Sequence, residues 1–151
     1  MSKKDGLDAF LRSKVDRSRH PEAEIDWDAR KDKWLADIAK LYDQVKKWLA
    51  PLEKDGIVRY LPGSVTLQED YIGSYQVDVL TLLVGKQRVE FRPKATLIIG
   101  AEGRVDVQGP RAVRTIVLRK DQWFVVERSP RLKTLPFNKD SFQGVLQEVM
   151  A

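Results

Sequence analysis

His20 is the only histidine in the 151-residue chain, and there is no cysteine. An imidazole base or a catalytic triad would have to use His20. It stands in the charged connector Ser18-Arg19-His20-Pro21, where no nearby serine or acid completes a recognisable motif, so it reads as a solvated connector residue. With one imidazole and no thiol, zinc or copper ligation of the usual kind is not expected. The carboxylates offer one pattern, Asp78 followed by Glu90 and Arg92. An acid, a gap and then Glu-x-Lys is the layout by which some metal-dependent nucleases hold magnesium beside a phosphate. Here arginine replaces the lysine, and a guanidinium cannot give up a proton to activate water. Val89 and Phe91 fit the alternative, a strand with a solvated outer face. Gly100-Ala101-Glu102-Gly103 lacks the following helix and the Lys-Ser/Thr of a phosphate cradle and reads as a hairpin turn. The sequence therefore predicts no catalytic, metal-binding or cofactor-binding residues and no cofactor.

The basic residues of the second half offer a binding surface instead. Arg88 and Arg92 alternate with Val89 and Phe91, and Arg104 alternates with Val105 and Val107, which places these arginines on one solvent-facing side. Arg111, Arg114, Arg119, Lys120, Arg128, Arg131 and Lys133 follow on or beside later strands. Arg88, Arg92, Arg104 and Arg114 are the candidate contacts for a polyanion or a protein partner. Glu90 and Asp106 interrupt the row, and cross-strand ion pairing is a sufficient reason for such alternation. The net charge is +5, with 13 basic and 12 acidic side chains in residues 1–55, 13 and 8 in 56–135, and 1 and 2 in 136–151. The excess thus lies in the middle segment, where it permits weak attraction to nucleic acid or an anionic membrane surface.

The clearest pattern belongs to a positioning element. Trp27, Trp34, Ile38, Leu41, Val45, Trp48 and Leu52 recur at spacings of seven and then four, three, four, three, four, a narrow seam on one long helix. Trp34, Ile38, Leu41, Val45 and Trp48 are its contact residues, and the seam must lie on the chain's own sheet or on another subunit. Pro21 and the carboxylates Glu22, Glu24, Asp26 and Asp28 place the helix start between Pro21 and Asp26, and Pro51 with Asp55-Gly56 places its end near Ala50. Before it, Leu7, Phe10, Leu11 and Val15 predict a short helix from Asp5 to about Ser18.

After Gly56 the pattern becomes alternating and rich in β-branched and aromatic residues. It predicts strands over 57–61, 65–72, 75–84, 87–99, 104–108, 112–119 and 122–128, with Pro93 at an edge, a bulge or a bend. Short Gly- and Pro-containing links make them an antiparallel meander. A last helix follows, capped by Asn138, with Phe142, Val145, Leu146 and Val149 on one face and a hydrophobic staple between Phe137 and Phe142. The expected fold is α+β: an N-terminal helical arm (1–20) and the long helix (21–55), then a curved sheet of six or seven strands with a C-terminal helix (56–151), all in one domain. Over 57–150 a meander closed by one helix is similar to the general plan of pleckstrin-homology-type barrels. That resemblance rests on element order, matches no sequence motif, and transfers neither ligand nor site.

The N-terminus has no apolar stretch that could act as a secretory signal, and the longest apolar runs, such as Leu82 to Val84, are far short of a membrane span. With no cysteine, a cytoplasmic protein without membrane insertion is expected. The function expected is a non-catalytic interaction or assembly module with a protein partner or a second copy. A basic nucleic-acid-binding domain and a small-molecule carrier are the alternatives.

Overall fold

The computed structural model describes residues 26–98, 100–127 and 132–151, together with Leu7 and Leu11, which are helical and more than half exposed. The rest of the predicted first helix, His20, Pro21, Arg128 and Arg131 lie outside the described residues. The long helix, α1 (Trp27–Lys54), begins where Asp26 accepts a hydrogen bond from the Ala29 N–H at 3.0 Å. Its side chain thus satisfies a first-turn donor and faces the positive end of the dipole. Pro51 does not end α1 but lies inside its final turns. The stop comes from Gly56 at φ 76°, which lets its N–H reach the Glu53 carbonyl at 3.0 Å while the Ile57 N–H reaches Leu52 at 2.9 Å. These bonds occupy the last carbonyls of the helix, the closure that a left-handed glycine allows.

Among the described residues nine strands follow. They are β1 (Val58–Leu61), β2 (Ser64–Glu69), β3 (Gly73–Asp78), β4 (Leu80–Val84), β5 (Gln87–Ala95), β6 (Gly103–Gln108), β7 (Val113–Arg119), β8 (Gln122–Glu127) and β9 (Lys133–Pro136), and α2 (Lys139–Val149) comes last. The strand expected over 75–84 breaks at Val79 into two that belong to different sheets, and β9 is an addition to the expected set. The order β1-β4-β5-β6-β7-β8-β9 forms one antiparallel sheet, while β2 and β3 pair separately. Its edges, β1 and β9, do not pair, so the sheet is open and not the closed barrel suggested by element order. The register shifts between Pro93 and Ala95, which leaves the proline at a bulge in an interior strand. No described helix is long and apolar enough to cross a membrane.

Alternation sends Val89, Phe91, Val105, Val107, Ile116, Leu118 and Val125 to one face of the sheet, where α1 and α2 cover them. The buried stripe of α1 is Trp34, Ile38, Leu41, Tyr42, Val45 and Leu49, with Trp48 only half-buried and Leu52 exposed. A heptad seam drifts by ~20° per repeat from a straight α-helix. The later contacts therefore rotate from Trp48 and Leu52 towards Tyr42 and Leu49. Trp48 instead meets α2, its ring 5.4 Å from Phe142 and 5.5 Å from Phe137. Asn138 caps α2 in a reciprocal pair with Ser141, and the Phe137–Phe142 staple closes at 5.8 Å. The β2–β3 hairpin joins the same side. Tyr75 and Val77 enter the core, and Tyr71, left-handed at φ 68°, stacks on Trp27 at 5.2 Å.

Glycine at 103 is required by this docking, because a Cβ there would fall inside the Trp34 ring. Gly103→Val is expected to lower stability by about 2–4 kcal/mol through overpacking and displacement of the indole, measured as a shift of the urea midpoint. A midpoint within error of wild type would mean that the indole does not sit on β6.

Candidate interaction surfaces

Three polar contacts orient α1 on the sheet. Tyr42 donates its buried hydroxyl to the main-chain carbonyls of Asp78 (2.6 Å) and Phe91 (3.2 Å), and burial pushes its pKa well above the usual tyrosine value. Arg30 donates to the Thr96 carbonyl at 2.9 Å. Lys33 bridges Asp37 at 2.7 Å and Asp121 at 2.8 Å, tying the helix to the β7–β8 turn. Hydrogen bonds to Asp121 and then to Asp37 raise the Lys33 pKa, and Lys33 in turn lowers that of Asp121. Both turn residues, Lys120 (φ 48°) and Asp121 (φ 64°), are left-handed, the backbone of a two-residue hairpin usually built with Asn-Gly. Nothing local in the sequence marks this contact, because Lys33 and Asp121 are 88 positions apart. Beside it, between α1 and strands β8 and β9, an open cleft of about 410 Å³ is lined by Leu41, Trp48, Trp123 and Phe137 among others.

The face of the large sheet opposite the helices is ordered in cross-strand rows. One row runs Ala95, Arg104, Val117, Phe124, Pro136, and the next runs Arg92, Asp106, Thr115, Val126, Thr134. A third runs Leu61, Thr81, Glu90, Gln108, Val113. The half nearer β5 is charged, and its charges are paired. Glu90 lies 3.6 Å from Arg92 and 4.0 Å from Arg88, and Asp106 accepts from Arg104 at 2.9 and 3.2 Å and from Thr115 at 3.0 Å. The half nearer β9 is apolar, with Val117, Phe124, Val126 and Pro136 adjacent. Val117 is buried, Phe124 and Val126 remain half-exposed, and Pro136 and Val113 are exposed.

Of the four candidate arginines, Arg88, Arg92 and Arg104 share this face. Arg114 does not. It registers with the core residue Val107, on the helix side, and pairs with Glu148 of α2 and with Glu127. The candidate seam residues Trp34, Ile38, Leu41 and Val45 are buried in the chain's own core. Asp78 stands in the two-stranded sheet while Glu90 faces outward on β5. Among the described residues no three His, Cys, Asp or Glu side chains gather as metal ligands. The apolar strip escaped the sequence reading, although it had a signal. Trp123-Phe124-Val125-Val126 and Ile116-Val117-Leu118 are unbroken apolar runs, and a strand solvated on one face would alternate.

No protein-family model, curated protein or solved structure matches the chain.

The lowered pKa of Asp121 means that its ion pair stabilises the fold above the ordinary carboxylate range, and that this contribution is lost as pH falls through the folded value. Asn tolerates a left-handed backbone, so Asp121→Asn keeps the turn. Measured by urea unfolding across pH, wild-type stability is expected to fall more steeply below about pH 4 than that of the variant. Parallel curves would mean that the bridge contributes nothing in solution.

Proposed function

We propose that this chain is a non-catalytic interaction module that engages a protein partner through the face of its large sheet opposite α1 and α2. The observation that carries the proposal is the strip of Val117, Phe124, Val126 and Pro136 on that face, beside arginines already paired with carboxylates. An apolar patch flanked by polar groups fits a protein contact. A polyanion site needs unpaired cations, and here Glu90 and Asp106 pair with all three arginines and offset two of their three charges. The space beneath α1, where a carrier would hold its ligand, is occupied by Trp34, Phe91, Val105 and Ile116.

Immobilised wild-type chain is expected to capture a protein, or a second copy, that a folded Phe124→Lys chain does not capture, and light scattering is expected to report the complex. A strict monomer that captures nothing and turns over a substrate would contradict the proposal. Retention on heparin that falls steeply with salt and is abolished by Arg88→Ala/Arg92→Ala would replace it with polyanion binding.

A further inference from the structure

We infer that the partner for this face is a second copy of the chain, packed sheet on sheet. The inference rests on the proposed interaction role and adds the identity of the partner. Two observations carry it, the area of the face and the order of its charges.

Seven strands at ~4.8 Å spacing make the face about 29 Å wide, and six residues at ~3.3 Å make it about 20 Å long. A face of roughly 600 Å² per copy buries about 1,200 Å² in a pair, at the threshold for a stable interface. Sheets stack ~10 Å apart with strands within about 30° of parallel, so two such faces meet without rearrangement of either chain.

The charges are arranged to match themselves. Arg104 and Asp106 occupy consecutive outward positions of β6, Arg104 half-exposed and Asp106 buried beneath the guanidinium it accepts from, in rows that continue into Phe124 and Val126 on β8. A two-fold axis lying between those rows, across the strands, exchanges them. It sets Arg104 over the Asp106 of the other copy and Asp106 over its Arg104, and it sets Phe124 over Val126 in the same reciprocal way. The opposite charges of adjacent rows thus become complementary between copies, as an isologous interface requires. A partner of uniform charge would meet a like charge at one of the two positions.

Sedimentation equilibrium of the full chain is expected to report a dimer. Phe124→Lys is expected to weaken it at least about tenfold, since a fixed charge replaces an apolar contact in the strip. The decisive pair is Arg104→Asp and Asp106→Arg, each checked for folding by circular dichroism. Each alone places like charges over one another and is expected to be monomeric, while a mixture of the two is expected to form a one-to-one heterodimer. Loss of an ion pair within each chain cannot produce that result. A second apolar variant, Val126→Lys, replaces any charge variant that fails to fold. A monomeric wild type, or a dimer that none of these substitutions weakens, would overturn the inference. If a monomeric wild type still captured another protein and Phe124→Lys lost it, the interaction role would stand with a different partner.

Discussion

The docking of α1 on the sheet is the constraint from which the rest of the molecule follows. Trp34 sits against Gly103 on β6 and its ring lies 6.1 Å from that of Trp123 on β8, so one side chain fixes the helix across two strands separated by a third. A buried tryptophan removes on the order of 200 Å² from water, worth about 5 kcal/mol at 25 cal/mol per Å². Ile38, Leu41, Val45 and Leu49 continue the contact along the helix. With this face committed, α2 has room only at the far end, where Phe142 packs on Trp48 and on Phe91.

The same commitment determines what the sheet can offer. Two helices and the hairpin gather on one side, so the other side must be stable in its own right or covered by something else. Its charged half meets the first condition through Arg–Glu pairs along β5 and an Arg–Asp pair along β6. Its apolar half does not: among the described residues Phe124 lies between Val117 and Pro136, Val126 lies between Thr115 and Thr134, and both stay half-exposed. The β9 edge is blunted as well. Pro136 has no N–H, and its carbonyl accepts from Ser141 at 2.8 Å, which discourages growth of the sheet by a further strand. Contact through the face is therefore favoured over contact through this edge.

Periodicity carried much of this fold into the sequence. The helical stripe, the antiparallel strands, the Asn138 cap and the Phe137–Phe142 staple were legible because each depends on neighbours within a few positions. The misplacements have a common cause, which is that tertiary packing chose between locally equivalent options. Pro51 was tolerated because the glycine closure at Gly56 satisfies the helix end further on. Leu49 replaced Trp48 in the buried stripe because the helix is straight. The break at Val79 gives no local signal, because no glycine or proline stands between Tyr75 and Val84 and only pairing with different partners separates the halves. Arg114 resembles the outward arginines in type and spacing, yet its strand's register turns it towards α2. The binding surface was half legible: its arginines stood out by alternation, while its apolar strip lay hidden in runs that also serve the core.

Amide hydrogen exchange followed over a wide range of protein concentration tests the central claim most directly. If the stripe on α1 is buried by the chain's own sheet, amides from Ile38 to Leu49 exchange only through global unfolding, and their protection relative to core strand β6 does not change on dilution. Protection of α1 that fell on dilution while β6 stayed protected would mean that the helix is held by another subunit, and the account of both faces would fail.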